Sequence, residues 1–220
     1  MEGPVELRMP ETLRSSLGLQ FIDHASADMP PLAMLDPFPQ WSVDEKTGEC
    51  SYRCAEAKGV EFSTRVRPYE EEIFLEFRAR NTSGKAIGNL WHQECLDVKD
   101  SPEFGMTEDI EHADDRRRSH PIADRDVIAR VSEDGGRLLA MWWENAPIPI
   151  ADSDIPCLHS GPGPWPTLAP GDEAVWRGKI YLMKNDPDAL LRRRRGDGGE
   201  WLYPEITERL EQQRQEAQKQ

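Results

Sequence analysis

Two neighbouring stretches of this chain alternate apolar and polar residues with a period of two, and that alternation restricts the fold more than any other feature. Val60, Phe62, Thr64 and Val66 interleave with Glu61, Ser63, Arg65 and Arg67. Ile73, Leu75, Phe77 and Ala79 then interleave with Phe74, Glu76, Arg78 and Arg80. Successive side chains of an extended strand point to opposite faces, so each stretch reads as a strand with one buried and one wet face, the habit of antiparallel sheets. Pro68 and the acidic run Glu70 to Glu72 mark the turn between them, and residues 81–85 mark the next. Further strands are expected over 87–98, 126–131, 137–144, 157–160 and 173–183. The sequence Asp134-Gly135-Gly136 is a hairpin signal, and Pro170-Gly171 is a turn before the last strand.

The flanks read differently. Residues 1–40 are expected to form an irregular N-terminal arm packed on the domain. Leu13, Leu17 and Phe21 fall at roughly helical spacing, and Pro30, Pro31, Pro37 and Pro39 leave no room for a regular helix or central strand. Residues 41–184 form the β domain. Residues 185–220 form a C-terminal helical segment and tail, with Asp186 as N-cap, Pro187 in the first turn and Gly196 as the expected stop. The fold class that follows is all-β, an antiparallel β-sandwich with an irregular N-terminal arm and short C-terminal helices.

Charge narrows the partners. The 220 residues carry 27 Lys and Arg against 41 Asp and Glu, a formal net charge of −14. Such a field repels phosphate backbones and anionic headgroups, so neither nucleic acid nor a membrane surface is an expected partner. No apolar run approaches the roughly 20 residues that span a bilayer, and the opening residues lack the basic and apolar regions of an export signal. The expectation is a cytoplasmic chain with reduced thiols at Cys50, Cys54, Cys95 and Cys157. Oligomeric state is not legible from the sequence.

The chemistry-bearing residues are few. On the strand Trp91-His92-Gln93-Glu94-Cys95, period two puts His92 and Glu94 on one face, where they can serve as a base and its orienter or as metal ligands. The plainer reading of that pair is a hydrogen-bonded structural contact. His159, beside a turn rich in glycine and proline, can join them from a neighbouring strand. His112 and His120 lie with Asp109, Glu111, Asp114 and Asp115 in a long polar loop over 99–124, which reads chiefly as solvated. Trp142-Trp143-Glu144 places one indole on each face of its strand, Trp165 sits in a proline-stiffened loop, and Arg177, Lys179 and Tyr181 share one face of the last strand. Flat rings beside Arg, Glu and His suit a sugar, which wants a stacking platform and charged groups to bond its hydroxyls; the plainer reading of each Trp is core. Nucleotide-binding glycine motifs, GxSxG and HExxH are all absent, and no redox cofactor is expected.

The run EIFLEFRARNTSGKAIGNLWHQECLDVKDSPEF and the later CLHSGPGPWPTLAPGDEAVWRGKIYLM resemble segments of uncharacterised bacterial β-sandwich proteins akin to the galactose-mutarotase-like supersandwich group, over about residues 60–185. That group includes sugar epimerases and domains of polysaccharide-active enzymes. The resemblance implies a His acid and a Glu base, for which His92 or His159 and Glu94 or Glu144 are the candidates.

Together these readings give an open polar sheet face that binds a small-molecule or oligosaccharide ligand. Trp142 or Trp143, Trp165 and Tyr181 would stack, and Arg65, Arg177, His92, Glu94, Glu144 and His159 would make polar contacts. Acid–base chemistry at a sugar carbon would be the natural reaction, with His92, Glu94 and His159 as its catalytic residues. The alternatives are a metal-dependent cupin-like β-barrel using His92, Glu94 and His159, and a non-catalytic protein-interaction module.

Overall fold

The computed structural model describes residues 4–23, 40–104, 127–132, 134–144, 146, 150–151 and 157–201. His24, the loop histidines His112 and His120 and the acidic residues around them lie outside the described residues. The strands run β1 Glu6–Ser15, β2 Gly18–Ile22, β3 Ser42–Val43, β4 Cys50–Cys54, β5 Val60–Pro68, β6 Glu72–Asn81, β7 Ile87–Asp97, β8 Val127–Val131, β9 Arg137–Trp143, β10 Ile150–Ala151, β11 Cys157–Ser160, β12 Trp165–Leu168 and β13 Glu173–Lys184. One short 3-10 turn spans Pro102–Phe104, and a helix, α1, spans Pro187–Trp201.

The strands form two antiparallel sheets. Sheet I has the order β10-β11-β7-β1-β2, with β12 also paired to β7, and sheet II has the order β3-β4-β5-β6-β13-β9-β8. They do not close into a barrel, so the cupin-like alternative fails on architecture and the sandwich expectation holds. The alternation over 60–80 is the reason sheet II forms where it does. Phe62, Phe77, Trp176, Trp143 and Met141 point inward and meet Leu13, Phe21, Leu90, Leu96 and Leu158 of sheet I in one core. Burying each such side chain contributes about 1.5–3 kcal/mol before cavity and strain effects.

The N-terminal residues depart from the sequence reading. Residues 6–22 are not helical but form the β1–β2 hairpin, in which Leu13 stands directly opposite Phe21. Their eight-residue separation is that of cross-strand partners around a tight turn. The β1–β7 ladder is broken between Arg8, opposite Cys95, and Thr12, opposite Gln93. Four steps along β1 answer two along β7, a bulge that leaves Met9, Pro10 and Glu11 against Glu94 alone.

The turn over residues 81–85 also binds the two sheets together. Buried Asn81 donates from Nδ2 to the carbonyls of Lys85 and of Leu168 on β12, each at 2.9 Å, while its Oδ1 accepts from the amide and hydroxyl of Ser83. The unit from residue 186 onward holds α1, capped as expected by Asp186, whose Oδ1 accepts the Ala189 amide at 2.8 Å. The helix continues through Gly196 to Trp201 instead of stopping there. None of the helices among the described residues is long and apolar enough to cross a membrane.

Candidate functional site

The outer face of sheet II carries a polar row that crosses several strands. In register, Ser42 stands opposite Ser51, Ser51 opposite Arg65, Arg65 opposite Glu76, and Glu76 opposite Arg177. The row ends at Glu144, whose Oε1 accepts the Arg177 amide at 2.8 Å. The Glu76 carboxylate is the hub: Arg78 Nε lies 2.8 Å away, Arg177 Nε 3.5 Å and Arg65 Nη1 4.0 Å. Glu49 takes Arg65 Nε and Arg67 Nε on separate oxygens at 2.7 Å each, and the bond from Arg65 above all holds its carboxyl below the usual range. Burial instead lifts the Glu144 carboxyl above that range.

A groove of about 500 Å³ opens over this face. Its hydroxyl lining comes from Ser42, Ser51 and Ser63, and its charges from Arg53, Arg65, Arg78, Glu49 and Glu76. Gln40 and Tyr52 complete it, and Trp41, 41% exposed, packs edge-on against Tyr52 with ring centroids 4.6 Å apart.

His92 and Glu94 do share a face, but it is the inner one, not the open face expected of them. Both are 0% exposed. The imidazole is enclosed by Phe77 at 4.1 Å, Trp176 at 4.8 Å and Trp143 at 5.2 Å between ring centroids. Burial drives the His92 pKa down, and burial followed by the negative charge of Glu11 drives that of Glu94 up. Burial thus favours the neutral form of both groups, which are bonded to each other through His92 Nδ1 and Glu94 Oε1. Two close approaches fix this region. A Cβ on Gly161, between β11 and β12, would fall 2.3 Å from the His92 carbonyl oxygen, and one on Gly178 would fall 2.7 Å from the Trp143 ring.

His159 stands on the opposite side of sheet I. Leu158 enters the core, so Cys157 and His159 point outward, and His159 is paired in register with Cys95 of β7. The donor atoms of Cys95, Cys157 and His159 all lie within 4.8 Å of one another. His159 Nε2 is 3.4 Å from Glu11 Oε2, which also accepts Gln93 Nε2 at 2.9 Å. The hydrogen bond from the Cys95 thiol, joined by His159, pulls Cys157 down to about 5, and the same bond and burial raise Cys95. Burial opposes the His159 imidazolium, yet Cys157 and Glu11 outweigh it and lift this group to about 9.

The structure thus brings Arg65, Arg177, Glu144, Trp142 and Tyr181 to one sheet face and separates them from His92, Glu94, Trp143 and His159. The expected convergence of His92, Glu94 and His159, whether on a sugar or a metal, is not found. Trp142 and Tyr181 are buried, Trp143 lies in the core, and half-buried Trp165 rests edge-on against Trp176 at 5.5 Å, so the expected stacking surfaces are occupied by packing. The sequence reading missed Arg53, Arg78, Glu49, Glu76 and Trp41, although parity already put Glu76 and Arg78 on the wet face. It also missed Glu11, Cys95 and Cys157. The spacing of Cys157 and His159, two apart on one strand, was the available signal.

No family model matches the sequence, and no curated protein matches it. Among solved structures, the chain is similar to the Slr1438 protein from Synechocystis sp. PCC 6803 at 9% identity and a TM-score of 0.42, over 65% of each chain. It is similar to a "Putative aldose 1-epimerase" from Escherichia coli K12 at 10% identity and a TM-score of 0.43, over 67% of this chain and 69% of the other. It is similar to a polysaccharide lyase at 9% identity and a TM-score of 0.44, over 85% of this chain and 26% of the lyase. The chain therefore spans just under two thirds of the first of these and about a quarter of the lyase.

Proposed function

We propose that the groove on sheet II binds a carbohydrate or similar polyol. The observation that carries this reading is the row Ser42, Ser51, Arg65, Glu76, Arg177 and Glu144, which alternates hydroxyl, cationic and anionic groups across the sheet. A sugar hydroxyl both donates and accepts. A surface whose arginines and carboxylates are already held by one another offers both partners at fixed positions without a net field to favour an ion. Rigid, preorganised partners also reduce the entropy lost on binding. Trp41, whose chain neighbours Gln40 and Ser42 line the groove, is the partly exposed ring to which this reading gives the stacking role, in place of Trp142, Trp143, Trp165 and Tyr181.

In this reading the protein is a binding module first. Chemistry at a sugar carbon would fall to carboxyl groups of this face, such as Glu76 or Glu144, because His92 and Glu94 are sealed in the core. Isothermal titration against a panel of neutral and acidic mono- and oligosaccharides tests the proposal. At least one neutral sugar should bind the wild type, and Arg65→Ala should weaken it by roughly tenfold, about 1.4 kcal/mol. A panel without a hit on the folded wild type refutes it.

A further inference from the structure

We propose that Cys95, Cys157 and His159 form a binding site for one divalent metal ion of the zinc class, on the face of sheet I that points away from the core. The three donors come from two adjacent strands whose register brings them together: His159 is directly opposite Cys95, and Cys157 lies two residues before His159 on the same face. Their donor atoms lie within 4.8 Å of one another. Tetrahedral zinc, with bonds of about 2.3 Å to sulfur and about 2.0 Å to nitrogen, needs edges of roughly 3.5–3.8 Å between donors, so a side-chain contraction of about 1 Å closes the site. Two thiolates and an imidazole are a soft set that selects zinc over magnesium or calcium. Two thiolates also balance the charge of the ion, so the buried site would be locally neutral.

The surroundings supply a second, independent indication. A ligating histidine commonly gives its remaining ring nitrogen to a carboxylate, which fixes the tautomer and the ring's direction. Here Glu11 Oε2 is 3.4 Å from His159 Nε2, and Glu11 is itself held by Gln93; ligation through Nδ1 would keep that contact. The β1 bulge is what lets Glu11 reach across. Asp97, on the same face of β7 as Cys95, adds negative potential, and Arg8, the register partner of Cys95, stands against it. Cys95 is fully buried and Cys157 nearly so, which keeps water from competing. Three protein donors leave one position of a tetrahedron for water or another ligand.

The test uses the full chain, purified without chelator and then stripped and titrated with Zn²⁺ or Co²⁺. Elemental analysis should find one metal per chain, and Co²⁺ should give a near-ultraviolet thiolate charge-transfer band with tetrahedral visible bands. Cys157→Ser and His159→Ala should weaken binding by on the order of 100-fold or more, and Glu11→Gln by roughly 10–100-fold. Cys50→Ser, outside the cluster, should leave binding unchanged. If a ligand variant fails to fold, alkylation of the wild type in urea concentrations at which the metal-free protein's buried thiols label decides: Zn²⁺ should protect Cys95 and Cys157 from labelling and leave Cys50 reactive. Absence of a cobalt charge-transfer band, labelling of Cys95 and Cys157 indifferent to Zn²⁺, or a Cys95–Cys157 disulfide in protein kept from oxidants each overturns the proposal.

Discussion

The His92 imidazole meets the Trp143 indole nearly at right angles, with centroids 5.2 Å apart, in the space between the two sheets. A histidine packed in this way against aromatic rings has exchanged solvent for a single carboxyl partner, Glu94. The energetics of that exchange can be measured through pH.

The Glu94 carboxyl ionises near pH 4.5 in the unfolded chain and is held protonated by burial in the folded one. Above that pH folding takes up a proton, so Glu94 makes stability fall as pH rises, by up to ~1.4 kcal/mol per unit. His92 acts in the opposite sense, losing stability as pH falls below its unfolded value of 6.5, and it does so with either residue at position 94. Glu94→Gln, which can still donate to His92 Nδ1, should therefore gain on the wild type between about pH 5 and 8 in urea denaturation. A wild type that gains on the variant instead would mean an ionised His92–Glu94 pair.

Gly161→Ala would place a methyl 2.3 Å from the His92 carbonyl oxygen and force β11 and β12 away from β7. The expected cost is on the order of 1–3 kcal/mol or more. Gly84→Ala, with nothing within 4 Å of the added carbon, is the neutral control. Thermal denaturation of the two variants side by side makes the comparison.

Asn81→Ala would remove the side-chain bonds to the carbonyls of Lys85 and Leu168 and to the Ser83 amide and hydroxyl in one step. We expect a loss of about 1–3 kcal/mol in chemical denaturation, and faster amide exchange along β12 than along β5. Equal exchange in both strands would contradict the role of Asn81 as the tie between sheets.

Trp41→Ala should cost about 0.5–1.5 kcal/mol of stability, because the ring packs edge-on against core Tyr52. The affinity for any sugar found to bind should also fall by roughly 2–10-fold, the equivalent of one stacking contact of ~0.5–1.5 kcal/mol. An unchanged affinity would remove Trp41 from the groove site.

Much of sheet II was legible because its polar and apolar residues segregate by parity. The alternation at 60–80 marked β5 and β6 and put Arg65 and Glu76 on their polar faces, while Arg177 joins them only through the β6–β13 register. The same logic failed on β7. There one parity carries Leu90, His92, Glu94 and Leu96 and the other Trp91, Gln93, Cys95 and Asp97, so neither side is plainly apolar. His92 and Cys95 are both fully buried, one on each side of the strand. Which side looks inward is decided by Phe77, Trp143 and Trp176 on the other sheet, a non-local fact. The cysteine cluster was hidden for a related reason: it exists only because β11 pairs with β7, and no local pattern states a strand's partner. The β1 ladder could not be read because Pro10 and the bulge interrupt its period.

That bulge makes Glu11 adjustable apart from the residues it serves. Two surplus positions between Arg8 and Thr12 carry its carboxylate out to His159, while Cys95, Cys157 and His159 are held together by the unbroken β7–β11 ladder. Excising two residues from that stretch would let the ladder run straight and withdraw the acid from the imidazole, with every sulfur and nitrogen donor left in place. Evolution or an engineer could thus tune how firmly the cluster grips a cation by editing the slack in a neighbouring strand.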